Sequence, residues 1–516
     1  MRIKSFVWSA AAAACLAAAP AYSQKSKDTI SIPMIEPIPG VDDYLHNNPE
    51  NEFYSIAVFD RLISFDEKDN KYVPTLAKSW KRIDDKTLEF ELHDDVKFHD
   101  GTPFTADDVV YTVAWLIDPQ TKVRNKNNYD WMKSAEKLGE HKVRITAVEP
   151  TPIDEAQLAR AIYMLPKHLH GKYGLNEKQP FGMKPVGTGM FSAVEVNSNT
   201  GVFLKKNPNY KHGGSANPVG NIGNMHLLFI PDQDVRIAKF LVEEVQLLAR
   251  QVTVDQLDEL TKKPGVVGKV VQGPSIGYMA IDAQGRAGNK AVTDVRVRRA
   301  MFMAINRKDL LTLVAGEHEI DRVPEAMCWR DQVGCDYTKL PPPYDPEGAR
   351  KLLAEAGYPN GFDLEIATFN TSVSDTAVAV AGHLSKIGIR AKVREYTIGA
   401  FRLALRDNKV QTSVLGYPMG NISDVSRSNA YFFSPVAAED YHGDAQVRAW
   451  SDEMDRTFDP VKRREIGRKL YDRNTEQAYI LPVAPRPVPM VHRDTITISG
   501  SRYITMGFHP GGLNWK

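Results

Sequence analysis

Residues 345 to 415 constrain the fold more than any other part of this 516-residue chain. Asp345-Pro346 is a helix start, an acceptor side chain ahead of a proline whose missing N–H the first turn would leave unused anyway. Behind it Ala349, Leu352, Leu353 and Ala356 recur at helical spacing, and Gly357 is placed to end the run. Phe362, Leu364 and Ile366 then recur at period two, a helical stretch follows from about Ser374 to Lys386, and Ile389, Ala391 and Val393 return to period two. Strand, helix and strand in that order make a βαβ unit. A further helix from about Ile398 to Arg406 and a strand from about Gln411 to Leu415 extend it, and a helix with Val297, Ala300, Met301, Ala304 and Ile305 on one stripe precedes it. The expected class is α/β, with a mainly parallel sheet covered by helices. In such sheets ligands sit beyond the carboxyl ends of the strands, which points to Asn370 after one strand and to Gly416-Tyr417-Pro418-Met419 after another.

The first half carries a different signal. Leu88, Phe90 and Leu92 alternate with Thr87, Glu89 and Glu91, which reads as a strand with one buried face. Thr105 stands three residues before Asp108 in a capping-box arrangement, and Val109, Val110, Val113, Leu116 and Ile117 line the helix behind it until Asp118-Pro119. At roughly 150 residues per domain the length suggests about three domains.

The N-terminus reads as an export signal. Arg2 and Lys4 precede an uncharged, Ala-rich run from Phe6 to Ala19, and small residues surround Ala21-Tyr22-Ser23, so residues 1–23 have the layout of a cleavable signal peptide. The run is too short for a membrane anchor, which needs about 20 apolar residues. Cys15 lacks the large apolar residue that a lipidation site carries in front of it. Only Cys328 and Cys335 then remain, and an oxidising compartment allows them to pair, with two free thiols as the alternative and no second pair to build a zinc site. With 65 Lys and Arg against 64 Asp and Glu, and no basic stripe, the chain does not suit a nucleic-acid partner.

Catalytic signatures are missing. There is no phosphate loop, H-E-x-x-H, G-x-S-x-G or G-x-G-x-x-G. His168-Leu169-His170 near Pro166 reads as a solvated turn rather than a metal grip.

One ordered series of blocks carries a resemblance. Leu76-Ala77-Lys78-Ser79-Trp80, Leu88-Glu89-Phe90-Glu91-Leu92 and the run from Val96-Lys97-Phe98-His99-Asp100-Gly101-Thr102-Pro103-Phe104-Thr105 to Val109 resemble the signature of the extracellular solute-binding proteins of family 5, the dipeptide-, oligopeptide- and nickel-binding components of ABC importers. Pro185-Val186-Gly187-Thr188-Gly189, Asn207-Pro208-Asn209-Tyr210, Gly277-Tyr278-Met279-Ala280 and Tyr344-Asp345-Pro346-Glu347 follow in the same order. The resemblance implies a large, two-lobed periplasmic binding protein of type II, hinge-linked, with an extra subdomain inserted in the first lobe. Lobe I would comprise 24–50, 181–268 and 479–516, the inserted subdomain 51–180 and lobe II 269–478. It also implies a periplasmic monomer without cofactor or bound metal. Its partners would be a small solute, a peptide first among the candidates, and membrane permease subunits driven by separate ATPase subunits. A nickel chelate, an opine or sugar-phosphate conjugate and a cyclic peptide stay open as ligands. A secreted hydrolase is the rival class.

The departure from the family pattern bears on the ligand. Peptide-binding members place an Asp shortly after a Gly-Trp or Gly-Tyr pair to receive a peptide's ammonium group. Here that position is Gly420, with Asp424 four residues later. The ligand-contact candidates are Tyr278, Asn370, Tyr417, Met419, Asn421 and Asp424, with Arg427 beside them; Tyr417 offers an apolar face with one polar handle.

Overall fold

A computed structural model describes residues 28–41, 44–46, 49–124, 126–318, 323–369, 371–417, 424–434, 440–501 and 504–516. Two long strands organise it. The outbound strand Val266–Ile281 and the return strand Ile480–Arg493 run antiparallel side by side, with register breaks between Val271 and Ser275 and between Gly277 and Tyr278. The break at 271–275 is where the strands change cores. Val488, Met490 and Val491 pack with residues such as Ile32, Leu227, Leu248 and Phe240. Past the break, Ile276, Tyr278, Met279, Leu481 and Val483 pack with the second half of the chain, against residues such as Phe432, Val297 and Met301. One pair of strands thus joins two lobes, each with its own buried apolar interior.

On the first side, Thr29–Met34, Asn224–Phe229, Gly201–Lys206 and Phe191–Asn197 form a four-stranded sheet in that reversed-chain order. A second four-stranded sheet, Ala77–Asp84, Thr87–Leu92, Lys142–Ala147 and Met132–Gly139, is covered by the helix Ala106–Ile117. That helix starts in the capping box read from the sequence, with Thr105 N–H donating to Asp108 at 3.0 Å and the Thr105 hydroxyl accepting from Asp107 N–H. Its stripe Val109, Val113 and Leu116 is fully buried.

The second lobe contains the expected alternation. Asp363–Thr368 lies parallel to Arg390–Glu395 on one side and to Thr412–Tyr417 on the other, and the helices Val295–Ala304, Pro346–Glu355, Thr371–Ser385 and Ile398–Arg406 stand where the periodicity put them. The sheet as a whole is mixed, which corrects the expectation of a mainly parallel one. Its order runs Leu247–Ala249, Ile480–Arg493, Val266–Ile281, Thr412–Tyr417, Asp363–Thr368, Arg390–Glu395, and the first three neighbouring pairs are antiparallel. The physical reason is the double crossing: the chain enters the lobe along one strand and leaves along its neighbour, so the two must oppose each other.

Cys328 and Cys335 form a disulfide with Cα atoms 5.9 Å apart, both buried under the sheet end. His168 and His170 part company. His168 Nε2 meets Asp100 at 2.7 Å on the surface, as a solvated turn would have it, but His170 is wholly buried against Tyr111, Trp115 and Phe181. Burial pushes His170 down to about 3, so it sits neutral in the core.

Candidate functional site

The strand Thr412–Tyr417 ends beside the break in the outbound strand, Gly416 opposite Gly277 and Tyr417 opposite Ile276. Tyr417 is half-buried and stacks on Tyr431 at 4.5 Å with a tilt of 30°. Phe432 meets it edge-on at 5.1 Å. Aromatic rings in such offset and edge-on contacts hold one another by their quadrupoles as well as by burial. Tyr278, expected at the ligand, is wholly buried behind this group with its ring edge-on to Phe432 at 5.0 Å. It supports the wall from inside the lobe.

Gly416 is small for a reason. A Cβ there would lie 2.6 Å from Cδ of Arg486 and collide with its guanidinium. Arg486 lies on the return strand opposite Ser275, at the core change, between Pro485 and Pro487 whose rings fix the backbone on either side. Burial pushes its guanidinium down to about 10, and the positive charge of Arg250 adds to the shift. Arg250 follows the strand Leu247–Ala249 with φ +61°, and its Nη1 donates to the Thr505 carbonyl at 3.3 Å. Its surface is open to water, yet crowding by protein lowers its pKa, against the pull of Glu50 and Glu52.

The lobe I wall carries acids as well. Glu50, in the helix Pro49–Val58, is buried; its Oε1 accepts from Ile35 N–H at 3.4 Å and its Oε2 has no hydrogen-bond partner among the described residues. Burial raises its pKa. Glu52 is paired with Arg160 at 2.6 Å. Glu52, Arg160, Arg61, Ile504 and His509 line a cavity of about 70 Å³ next to this wall.

The expected acid lies elsewhere. Asp424 is buried inside lobe II, where its Oδ1 accepts from Arg463 Nη2 at 2.5 Å and from Ser426 N–H at 2.9 Å. Its backbone bridges to Val333. The carboxylate set down above as a substitute for the missing family acid is thus engaged within its own lobe. Burial raises its pKa and Arg463 opposes the rise. Arg427 is half-buried on the helix Ser426–Phe432, and Asn370, Met419 and Asn421 lie outside the described residues.

Close to the same ion pair, burial pushes Asp455 up to about 7 from an ordinary 3.8. An acid whose pKa rises on folding stabilises the fold only while protonated, so this contribution is complete below 3.8 and disappears as pH climbs through 7. Asp455→Asn should therefore melt higher than the parent at pH 8 and lose that advantage by about pH 4. Equal melting differences at the two pH values would contradict the assignment.

Residues 71–439 match the family described as bacterial extracellular solute-binding proteins, family 5 middle. The chain belongs to that family. This family 5 protein is 26% identical over 477 residues to heme-binding protein A of Haemophilus influenzae, covering 85% of this chain and 82% of the relative. It is 26% identical over 476 residues to di/tripeptide-binding protein 1 of Pseudomonas aeruginosa, covering 85% of each. Among solved structures, NikA from Brucella suis in complex with Fe(III)-EDTA superposes with a TM-score of 0.82 at 20% identity, over 95% of this chain and 100% of the other. That likeness speaks for the fold, the two-lobed type II architecture. The family is one of binding proteins, and no helix among the described residues of this member is long and apolar enough to cross a membrane.

Sequence reasoning singled out Tyr417, which stands at this strand end, and did not single out Arg250, Arg486 or Glu50. None of the three sits in a motif; the charge of Arg250 acts on both Glu50 and Arg486, a proximity that only tertiary structure creates.

Proposed function

We propose that the protein is the exported receptor of an ABC importer, capturing a small carboxylate-bearing solute between its lobes, with a short peptide first among the candidates, and handing it to a membrane permease. The observation that carries this reading is Arg486 of the hinge, set against Gly416 next to the Tyr417–Tyr431 stack, with Arg250 of lobe I near enough for its charge to act on it. Guanidinium groups in a poorly hydrated cleft suit carboxylates, and the aromatic faces suit the apolar part of the solute. The likeness to a di/tripeptide-binding protein supports a peptide. A non-peptide carboxylate is the second reading, favoured by Gly420 at the position where peptide binders carry an acid.

In this reading residues 1–23 are removed on export, lobe I comprises 24–50, 181–268 and 479–516, the inserted subdomain 51–180 and lobe II 269–478. The core change at 271–275 and 484–488 supports a division between the two lobes near these points, with Tyr479 to Ala484 still packed in the second lobe's interior. The protein binds without turnover: incubation with a di- and tripeptide mixture should return intact ligand in stoichiometric amount, and hydrolysis products would overturn the assignment.

Closure of two lobes over a solute is a population shift set by the solute's greater affinity for the closed form. Saturating ligand should reduce the radius of gyration measured by small-angle scattering. An unchanged value would contradict the hinge mechanism.

A further inference from the structure

Two histidines and an aspartate converge where the inserted subdomain meets lobe I. His93 follows the strand Thr87–Leu92, Asp95 stands two residues on, and His212 comes from the segment after the strand Gly201–Lys206. Their ligand atoms all lie within 4.8 Å of one another, the one such group of His, Cys, Asp or Glu among the described residues. His212 Nε2 is 3.3 Å from Asp95 Oδ1, and the other carboxylate oxygen, Oδ2, accepts from Lys211 Nζ at 3.0 Å. The two imidazoles stack at 4.0 Å with a tilt of 30°.

We propose that His93, Asp95 and His212 form a structural site for a divalent transition ion of the Zn²⁺ type, tying the inserted subdomain to lobe I. Two imidazoles and one carboxylate are the donor set that such ions prefer, with water completing the shell. Zn²⁺ bonded at about 2.0–2.1 Å to tetrahedral donors holds them about 3.3 Å apart, and Asp95 and His212 already stand at 3.3 Å. His93 has to turn out of the stack to bring its nitrogen in line, and its partial exposure leaves room.

The surroundings fit a built site. The His93 N–H donates to the Leu76 carbonyl at 3.0 Å, which fixes the backbone on one side. Tyr210, two residues before His212, donates its hydroxyl to buried Asp60 at 3.1 Å and fixes the other. Lys211 orients the carboxylate from its far oxygen, as outer groups do around metal ligands. The binding is independent of the solute cleft and of its occupant.

The test uses the mature chain without a histidine tag, stripped with EDTA and titrated with ZnCl₂ in a calorimeter. One equivalent should bind and the thermal midpoint should rise with ZnCl₂, since an ion that binds only the folded state stabilises it. His212→Ala and Asp95→Asn should each weaken binding by at least about tenfold. His168→Ala, at the surface His168–Asp100 pair, should leave it unchanged. Each variant's metal-free melting is recorded first, and His212→Gln replaces any that fails to fold. No binding up to about 100 μM ZnCl₂, a level that would report even a weak site through the melting shift, overturns the proposal. So does wild-type affinity in both His212→Ala and Asp95→Asn.

Discussion

Arg463→Met should cost the protein about 3–5 kcal/mol of stability, enough to leave many proteins of this size marginal at physiological temperature. Arg463 is among the largest wholly buried side chains of the molecule, and its guanidinium serves Asp424 and the Ser426 hydroxyl, the latter at 2.8 Å. Removing it leaves the Asp424 carboxylate buried without its counter-charge, and a buried ion stripped of its partner loses far more than the pair was worth. Replacing both, Asp424→Asn with Arg463→Met, should recover a good part of the loss, because no bare charge then remains. Urea unfolding of the parent, the two single variants and the double variant supplies the cycle. A loss below about 1 kcal/mol for Arg463→Met, the worth of a surface pair, would contradict the burial argument. Asp424→Asn should in addition leave ligand affinity near that of the parent, since its carboxylate faces its own lobe.

Arg486→Met should weaken the binding of a carboxylate ligand by about 2–5 kcal/mol, from roughly thirtyfold to a few thousandfold. The guanidinium is half-buried where the strands change cores, against Gly416, and desolvation and the charge of Arg250 lower its pKa, so a carboxylate brought to it gains a charge-assisted partner. Methionine keeps much of the apolar stem that packs over Gly416, so the variant tests charge more than volume. Calorimetry with an alanyl dipeptide and with its C-terminal amide reads the effect directly: the amide should bind the parent about as weakly as the acid binds the variant. If acid and amide bind the parent equally, Arg486 does not receive a carboxylate. If neither binds at all, the peptide reading itself fails.

Most of lobe II could be read from residue order because its elements announce themselves locally. Asp345 with Pro346 starts a helix whatever lies around it, and the alternation of Leu364 and Ile366 with polar neighbours needs only one buried face to make a strand. The return strand could not be read this way. Pro482, Pro485, Pro487 and Pro489 lack the N–H that a ladder requires, so the run argues against a central strand, yet it lies between two partners. It tolerates the prolines because its second partner, Leu247–Ala249, pairs only with Met490 to His492, so the proline stretch has a ladder on one side alone. The mixed direction of the sheet has the same origin. Of the candidate site, the sequence marked the strand end at Tyr417, where the structure has Thr412–Tyr417 finish. Arg250 and Arg486, 236 positions apart by their numbers, come near enough for their charges to interact through tertiary pairing that no local pattern records. Asp424 illustrates the reverse error: an acid at nearly the right place in the sequence is claimed by Arg463, whose approach depends on the packing of the helix Pro460–Gln477.

The double crossing also sets an order in time. The interior of the first lobe is completed by Val488, Met490, Ile496, Phe508 and Leu513, so the N-terminal half emerges from the ribosome with part of its apolar face uncovered. It cannot close until the last segment of the chain has been synthesised, whereas residues 276–484 carry all they need for their own interior. A polypeptide built in this way stays loose at its leading end throughout synthesis, the condition in which it can be threaded through a narrow translocation pore and fold on the far side.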